Sequence, residues 1–259
     1  MRIARYRHDG DVSYGIVDGE VVRQIAGTPF PTVEGIEVTG TEVHIDDVAL
    51  LAPVLPTKII AVAKNYVDHA AEMGGTVPSE PMIFLKPSTA VIGPEAVITL
   101  PEQSQNVEHE AELAVVIGRL CKDVPEDRVN DVVLGYTCAN DVTARDLQAS
   151  DGQWGRAKGF DTFCPLGPWI STDVDPTDLA IECEVNDQIR QDASTADMVR
   201  SVPQLVAWIS RVMTLVPGDV ILTGTPAGVG PLRNGDTVTV TIEGIGTLDN
   251  MVSDSGVFA

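Results

Sequence analysis

The segment Glu108-His109-Glu110-Ala111-Glu112 runs directly into the apolar stretch Leu113-Ala114-Val115-Val116-Ile117. On a strand, residues two apart point the same way, so Glu110 and Glu112 are expected to project side by side from one face. Two close carboxylates repel. The repulsion is relieved if they share a hard divalent cation, for which carboxylate oxygen is the preferred ligand, or if one of them takes up a proton. A solvated acidic strand end explains the pentapeptide equally well, so another residue has to decide. Asp141 does: it follows the apolar run Tyr136-Thr137-Cys138-Ala139 and Asn140. An acidic residue ending a buried strand is costly unless it is paired or coordinated. Arg145 and Asp146, just downstream, are open to pairing with each other or with neighbours.

His69 and Glu72 lie three apart in Asn65-Tyr66-Val67-Asp68-His69-Ala70-Ala71-Glu72-Met73-Gly74 and share a face if that segment is helical. A carboxylate that orients an imidazole raises its basicity, which lets the imidazole take a proton from water. An exposed i,i+3 pair accounts for the same spacing without any chemistry. The glycines of Gly224-Thr225-Pro226-Ala227-Gly228-Val229-Gly230 lack the Gly-Lys-[Ser/Thr] ending of a P-loop and the spacing of a dinucleotide fingerprint. Neither a zinc-protease HExxH nor a serine-hydrolase Gly-x-Ser-x-Gly is present.

The elements that must carry these residues are mostly strands. Ile3 to Tyr6, Tyr14 to Val17 and Val21 to Ile25, separated by turn signals such as Asp18-Gly19, predict a small β-meander. Pro53 and Pro56 bracket the passage to a second region, giving a small N-terminal β domain over 1–55 and a second, larger domain over 56–259. Further strands are expected at Ile59 to Ala63, Met82 to Leu85, Leu113 to Ile117, Val132 to Thr137, Ile181 to Val185, Val220 to Thr223 and Thr237 to Ile242. In the last, Val238, Val240 and Ile242 alternate with polar residues at a period of two. A helix is expected to start at Ser201-Val202-Pro203, to bury Leu205, Val206, Ile209, Val212 and Met213, and to be stopped by Pro217-Gly218-Asp219. A short helix is expected from Tyr66 to Met73.

With 259 residues, 44% of them hydrophobic, the chain can bury a sizeable core. Its formal charge of −21, from 17 basic and 38 acidic residues, disfavours nucleic acid and anionic membranes as partners. No apolar run approaches the roughly 20 residues needed to span a bilayer. The opening MRIARYRHDG has no apolar signal core, so a cytoplasmic protein is expected. Cys121, Cys138, Cys164 and Cys183 lack CxxC spacing and are expected to be reduced and mostly buried.

Six blocks in order resemble the fumarylacetoacetate hydrolase (FAH) family. They are Asn65-Tyr66-Val67-Asp68-His69, Phe84-Leu85-Lys86-Pro87-Ser88, His109-Glu110-Ala111-Glu112-Leu113, Asn140-Asp141-Val142-Thr143-Ala144-Arg145-Asp146-Leu147-Gln148, Ala157-Lys158-Gly159-Phe160-Asp161 and Leu222 to Gly230. An ordered set of this kind is far more specific than any one motif. The resemblance implies a mostly β fold with some helix, a mixed β-sandwich roll behind the small N-terminal domain, and a homodimer. It implies Mg²⁺ or Mn²⁺ on Glu110, Glu112 and Asp141, and hard-ligand chemistry agrees. It also implies His69, Glu72 and Lys158 as catalytic, with Lys64, Arg145, Gln148, Gly224 and Thr225 around the substrate. The expected substrate is a small 2-oxo acid or its enol, handled through an enolate by C–C hydrolysis, decarboxylation or isomerisation. Short single-chain members of this kind include diene-dioate isomerases of aromatic-acid breakdown, acylpyruvate hydrolases and oxaloacetate decarboxylases. Sugar-acid dehydration on the same fold and a non-catalytic, metal-stabilised binding protein are the alternatives. Many relatives carry glycine where this chain has Ala63, ahead of Lys64-Asn65-Tyr66, which puts a methyl group close to the ligand.

Overall fold

The computed structural model describes residues 1–30 and 35–254. Three sheets and three α-helices carry the described chain: α1 (Val67–Glu72), α2 (Arg145–Asp151) and α3 (Val202–Val212). The largest sheet has 12 strands, and its centre is Ala111–Ile117, flanked by Val133–Asn140 and Val220–Leu222. Val220–Leu222 runs parallel to Ile59–Ala63, which pairs antiparallel with Met82–Lys86. The N-terminal meander continues the other side of this sheet, since Arg2–His8 pairs with Cys164–Ser171 in the register Ile3↔Ile170. A five-stranded sheet and a three-stranded one (Thr143–Ala144, Val107–His109, Gly230–Pro231) complete the sandwich.

Every residue of Ala111–Ile117 is buried, because both faces of this strand are covered. Leu113, Val115 and Ile117 pack towards Ile181, Val240 and Ile242 of the five-stranded sheet and towards Leu205, Val206 and Ile209 of α3. Ala114 and Val116 face the other way, against Ile59, Leu166 and Ile170. A strand buried on both faces reads as a continuous apolar run, and this one does.

The strands expected from alternation are present within a few residues, and Thr237–Ile242 has the expected inward face of Val238, Val240 and Ile242. The helix after Ser201 forms, with the Gln204 side chain accepting the Ser201 N–H at 3.0 Å. It ends at Val212, ahead of Pro217, because Met213 turns extended and Leu215 bridges to Cys121. Val212 is therefore exposed and not part of the buried stripe.

Cys164–Ser171 was not legible as a strand: Pro165 and Pro168 cannot donate to a ladder, a pattern that argues against a central strand. The structure tolerates them through a register shift opposite Tyr136 and Cys138, while Cys164, Leu166 and Ile170 bury the segment. All four cysteines are free and buried.

Candidate active site

Glu110 is not on the same strand as Glu112. It lies at the break between Val107–His109, in the small sheet, and Ala111–Ile117, in the large one. Their side chains nevertheless converge: oxygens of Glu110, Glu112 and Asp141 lie within 4.8 Å of one another, and all three residues are buried. Asp141 closes the set because Val133–Asn140 pairs beside Ala111–Ile117, and its N–H donates to the Glu110 carbonyl at 2.8 Å.

Cations surround this acidic centre. Lys158 Nζ donates to Glu110 Oε2 and to Asp141 Oδ2, each at 2.7 Å, and sits 5.1 Å from the centre of the Phe84 ring. Lys86 Nζ donates to Asp141 Oδ1 at 2.5 Å. Arg145 does not pair with Asp146; its guanidinium donates to Glu108 Oε2 and Glu110 Oε1 at 2.7 Å each and to Gln148 Oε1 at 2.8 Å. Asp146 instead accepts from Ser104 and from the Gln105 N–H.

These contacts split the carboxyls electrostatically. Burial would raise Glu110, but Lys158, Arg145 and His69 outweigh it and hold that carboxyl well below the usual carboxylate range. Glu112 goes the other way: burial first, then repulsion from Asp141 and Glu110, pushes it well above that range. Burial pulls the Lys158 ammonium down, and Asp141 and Glu110 more than reverse it.

Opposite this centre, α1 carries the second constellation. His69 is buried, and its Nδ1 lies 3.3 Å from Oε2 of Glu72, whose own side chain is one-third exposed. With a carboxylate as acceptor, Nδ1 carries the proton and Nε2 is left as a base. Glu72 in turn accepts from the Gly228 N–H at 3.1 Å, which fastens α1 to the Gly224–Gly230 turn. Gly224 sits at φ +98, and a Cβ there would come within 2.8 Å of Asn65 Cβ. Its N–H donates to Glu112 Oε2 at 2.6 Å, so it holds a carboxylate and is not free for a substrate.

A cavity of about 300 Å³ joins the two constellations. Lys64, His69, Glu110, Glu112, Asp141, Arg145, Gln148, Lys158 and Thr225 all line it, together with Phe84, Trp154 and Met73; Glu72 and Gly224 are not among its lining residues. Ala63 lines it as well, so its methyl group is accommodated. Lys64 holds a left-handed backbone (φ +56) and has no ion-pair partner among the described residues.

Three carboxylates with no thiolate or imidazole among them suit a hard cation such as Mg²⁺ or Mn²⁺. Two buried side-chain atoms among the described residues have no hydrogen-bond partner, Tyr66 Oη and Asn140 Nδ2. Asn140 Oδ1 accepts the Glu110 N–H at 2.9 Å, so one unsatisfied donor adjoins the acidic centre. The residues fit the ion.

Sequence reading missed two buried contributors, Lys86 and Gln191, and the half-buried Phe84. Lys86 ends an apolar strand and stood in a family-like block without a role, Phe84 reads as core, and Gln191 sits in the polar run Gln188–Ser194, which resembles a solvated strand. No local signal marks them.

Comparison with known proteins places the chain. The family model described as fumarylacetoacetate (FAA) hydrolase C-terminal matches residues 58–253, and an Rv2993c-like N-terminal model matches residues 1–53. The crystal structure of 2-hydroxyhepta-2,4-diene-1,7-dioate isomerase from Mycobacterium marinum is 51% identical, with 98% of each chain covered and a TM-score of 0.91. The mitochondrial oxaloacetate tautomerase of Xenopus laevis is 47% identical over 80% of this chain and 69% of its own length. Maleylpyruvate hydrolase from Sphingobium sp. SYK-6, solved with manganese(II) and pyruvate, is 34% identical, covering 98% of this chain and 99% of its own, at a TM-score of 0.80. Acid strand, catalytic-domain fold and aligned relatives agree, and the chain is an enzyme belonging to the fumarylacetoacetate hydrolase family.

Proposed function

We propose that this enzyme acts on small 2-oxo acids or their enols, depends on Mg²⁺ or Mn²⁺, and works by proton transfer at the carbon beside the 2-oxo group. The observation that carries the reading is one cavity in which the carboxylates of Glu110, Glu112 and Asp141, the Lys158 ammonium and the His69 imidazole all meet.

Glu110, Glu112 and Asp141 would hold the ion. A divalent ion supplies Lewis acidity toward the negative charge that develops on a 2-oxo oxygen as an enolate forms. Lys158 has given two hydrogens to carboxylates and keeps the third for a substrate oxygen. Gln148, whose oxygen is occupied by Arg145, presents its NH₂ group. Thr225 offers a hydroxyl and Lys64 an unpaired charge, both toward an anionic substrate. His69, oriented by Glu72, moves the proton. Lys158, Lys86 and Arg145 pair with three carboxylates, Glu108, Glu110 and Asp141, so the ion-free centre is close to neutral and a divalent ion would leave it positive enough to attract an acid.

Keto–enol exchange and isomerisation need only this machinery. C–C hydrolysis needs a water in reach of His69 as well, and decarboxylation needs only the enolate sink. Homodimeric assembly, a cytoplasmic setting and a place in aromatic-acid or 2-oxo-acid breakdown go with this reading, and the excess of acidic residues speaks against nucleic acid and anionic membranes. The test is turnover of oxaloacetate, an acylpyruvate, fumarylpyruvate and a 2-hydroxydienoate diacid, first with chelator and then with Mg²⁺ or Mn²⁺. Metal-restored turnover of any member is expected. Silence across the panel with metal demonstrably bound would replace this reading with sugar-acid dehydration or metal-stabilised binding.

A further inference from the structure

Gln191 is fully buried on Gln188–Ser194 and bridges the Thr225-Pro226 turn to the His109–Ala111 segment that contains Glu110. All four hydrogen-bonding capacities of its side-chain amide are met. Oε1 accepts from the Ala111 N–H at 3.0 Å and from His109 Nδ1 at 3.1 Å. Nε2 donates to Thr225 Oγ1 at 2.7 Å and to the Pro226 carbonyl at 2.8 Å. The amide cannot be flipped, because a backbone N–H can only donate and a carbonyl can only accept.

This fixed orientation has a consequence at Thr225. A hydroxyl has one hydrogen to give and lone pairs to receive. Thr225 Oγ1 receives from Gln191, and among the described residues no protein acceptor takes its own hydrogen. Thr225 lines the cavity, so that hydrogen is available to an acceptor there. The opposite sense, with Thr225 donating to residue 191, would turn a lone pair toward the substrate and repel its oxygens. The same amide ties the turn, through Ala111 and His109, to the segment that bears Glu110 and Glu112. Gly224 N–H on Glu112 and Gly228 N–H on Glu72 restrain the turn on either side of it.

We infer that Gln191 is a positioning residue for substrate recognition: it locks the Thr225 turn against the carboxylate-bearing strand and sets the Thr225 hydroxyl to donate to an anionic oxygen of the substrate. The inference rests on the proposed 2-oxo-acid reading for the identity of that oxygen.

Gln191→Glu tests the hydroxyl sense. It keeps the acceptor for Ala111 and His109, and in its ionised form it has no donor, so above the titration of the new carboxyl Thr225 gives its hydrogen to residue 191. With oxaloacetate and Mg²⁺, KM is expected to rise about tenfold or more, with kcat changed by less than about threefold. In a Thr225→Val background the further effect of Gln191→Glu on KM is expected to vanish, which a general folding defect would not produce. An unchanged KM in a folded Gln191→Glu protein, or a full KM penalty persisting without the Thr225 hydroxyl, overturns the inference. Gln191→Met separately tests the lock, by hydrogen exchange in the ligand-free protein. Exchange over residues 224–229 is expected to quicken while Ala111–Ile117 stays protected; an unchanged turn overturns the positioning role. If wild-type protein is silent on the whole substrate panel, the functional reading falls, and the exchange result still decides whether Gln191 positions the turn.

Discussion

Lys158 Nζ and Asp141 Oδ2 lie 2.7 Å apart with side chains only 3% and 1% exposed. An ion pair so deeply buried is held by what surrounds it, and removing one partner strands the other in low dielectric. In Lys158→Met, Glu110 and Asp141 lose a shared counter-charge. With chelator present this is expected to destabilise the protein by about 3–5 kcal/mol. A divalent ion supplies the missing charge, so added Mg²⁺ should raise Tm more in Lys158→Met than in wild type, while kcat stays down by about 10²-fold. Thermal melts with and without Mg²⁺ decide it; equal Mg²⁺ shifts in the two proteins would mean that Lys158 is not the counter-ion of the ion-free site.

Glu112 gives the pH dependence. Its folded-state carboxyl lies well above the ordinary 4.5, for which burial, Asp141 and Glu110 are the causes. A raised value means that ionisation costs the folded state. The contribution of Glu112 is therefore whole below pH 4.5 and is lost as pH climbs through the raised value. A divalent ion requires the ionised form, so its binding must expel this proton. Proton release on Mg²⁺ binding is expected in calorimetry across buffers of different ionisation enthalpy, with affinity rising as pH rises. Glu112→Gln should abolish the release; release that persists in that variant assigns the proton elsewhere.

What could be read from the chain follows a physical division. Period-two alternation and apolar runs marked Thr237–Ile242, Ala111–Ile117 and Ile59–Ala63, because burial of a strand face is written locally. Cys164–Ser171 was hidden because its two prolines argue locally against the place that tertiary packing gives it. In the site, carboxylates at unusual positions were visible as chemistry. Lys86 and Gln191 were not, since a single lysine or glutamine becomes informative only when its burial is known. Gly224 was read as facing the substrate, but its N–H is taken by Glu112, a pairing across 112 residues of chain that no local pattern encodes.

The His69–Glu72 pair separates proton transfer from mere closure of the site. Glu72 both orients His69 and accepts the Gly228 N–H. Glu72→Gln retains a side-chain oxygen for Gly228 but loses the negative charge that favours a basic imidazole. Stability is expected to change by less than about 1 kcal/mol, and kcat to fall by about 10²-fold with KM little altered. Steady-state kinetics on whichever panel member is turned over supply the check. A kcat equal to wild type would leave the pair as a latch without a part in proton transfer.

Gly228 and Gly152 both have left-handed backbones, φ +101 and +70, yet only one of them is enclosed. A Cβ at Gly228 would lie 2.0 Å from the Arg190 carbonyl oxygen, whereas one at Gly152 meets nothing within 4 Å. Gly152→Ala therefore carries only the conformational penalty of a side chain in that region, about 1–2 kcal/mol. Gly228→Ala must in addition push the turn away from the strand Gln188–Ser194, which breaks the Glu72 latch and shifts Thr225 relative to Gln191. Activity should accordingly collapse in Gly228→Ala and survive in Gly152→Ala when the two are compared at a temperature where both are folded. Comparable activity in the two would mean that the turn slides without disturbing the site, and that its three anchors at Glu112, Gln191 and Glu72 do not set the position of Thr225.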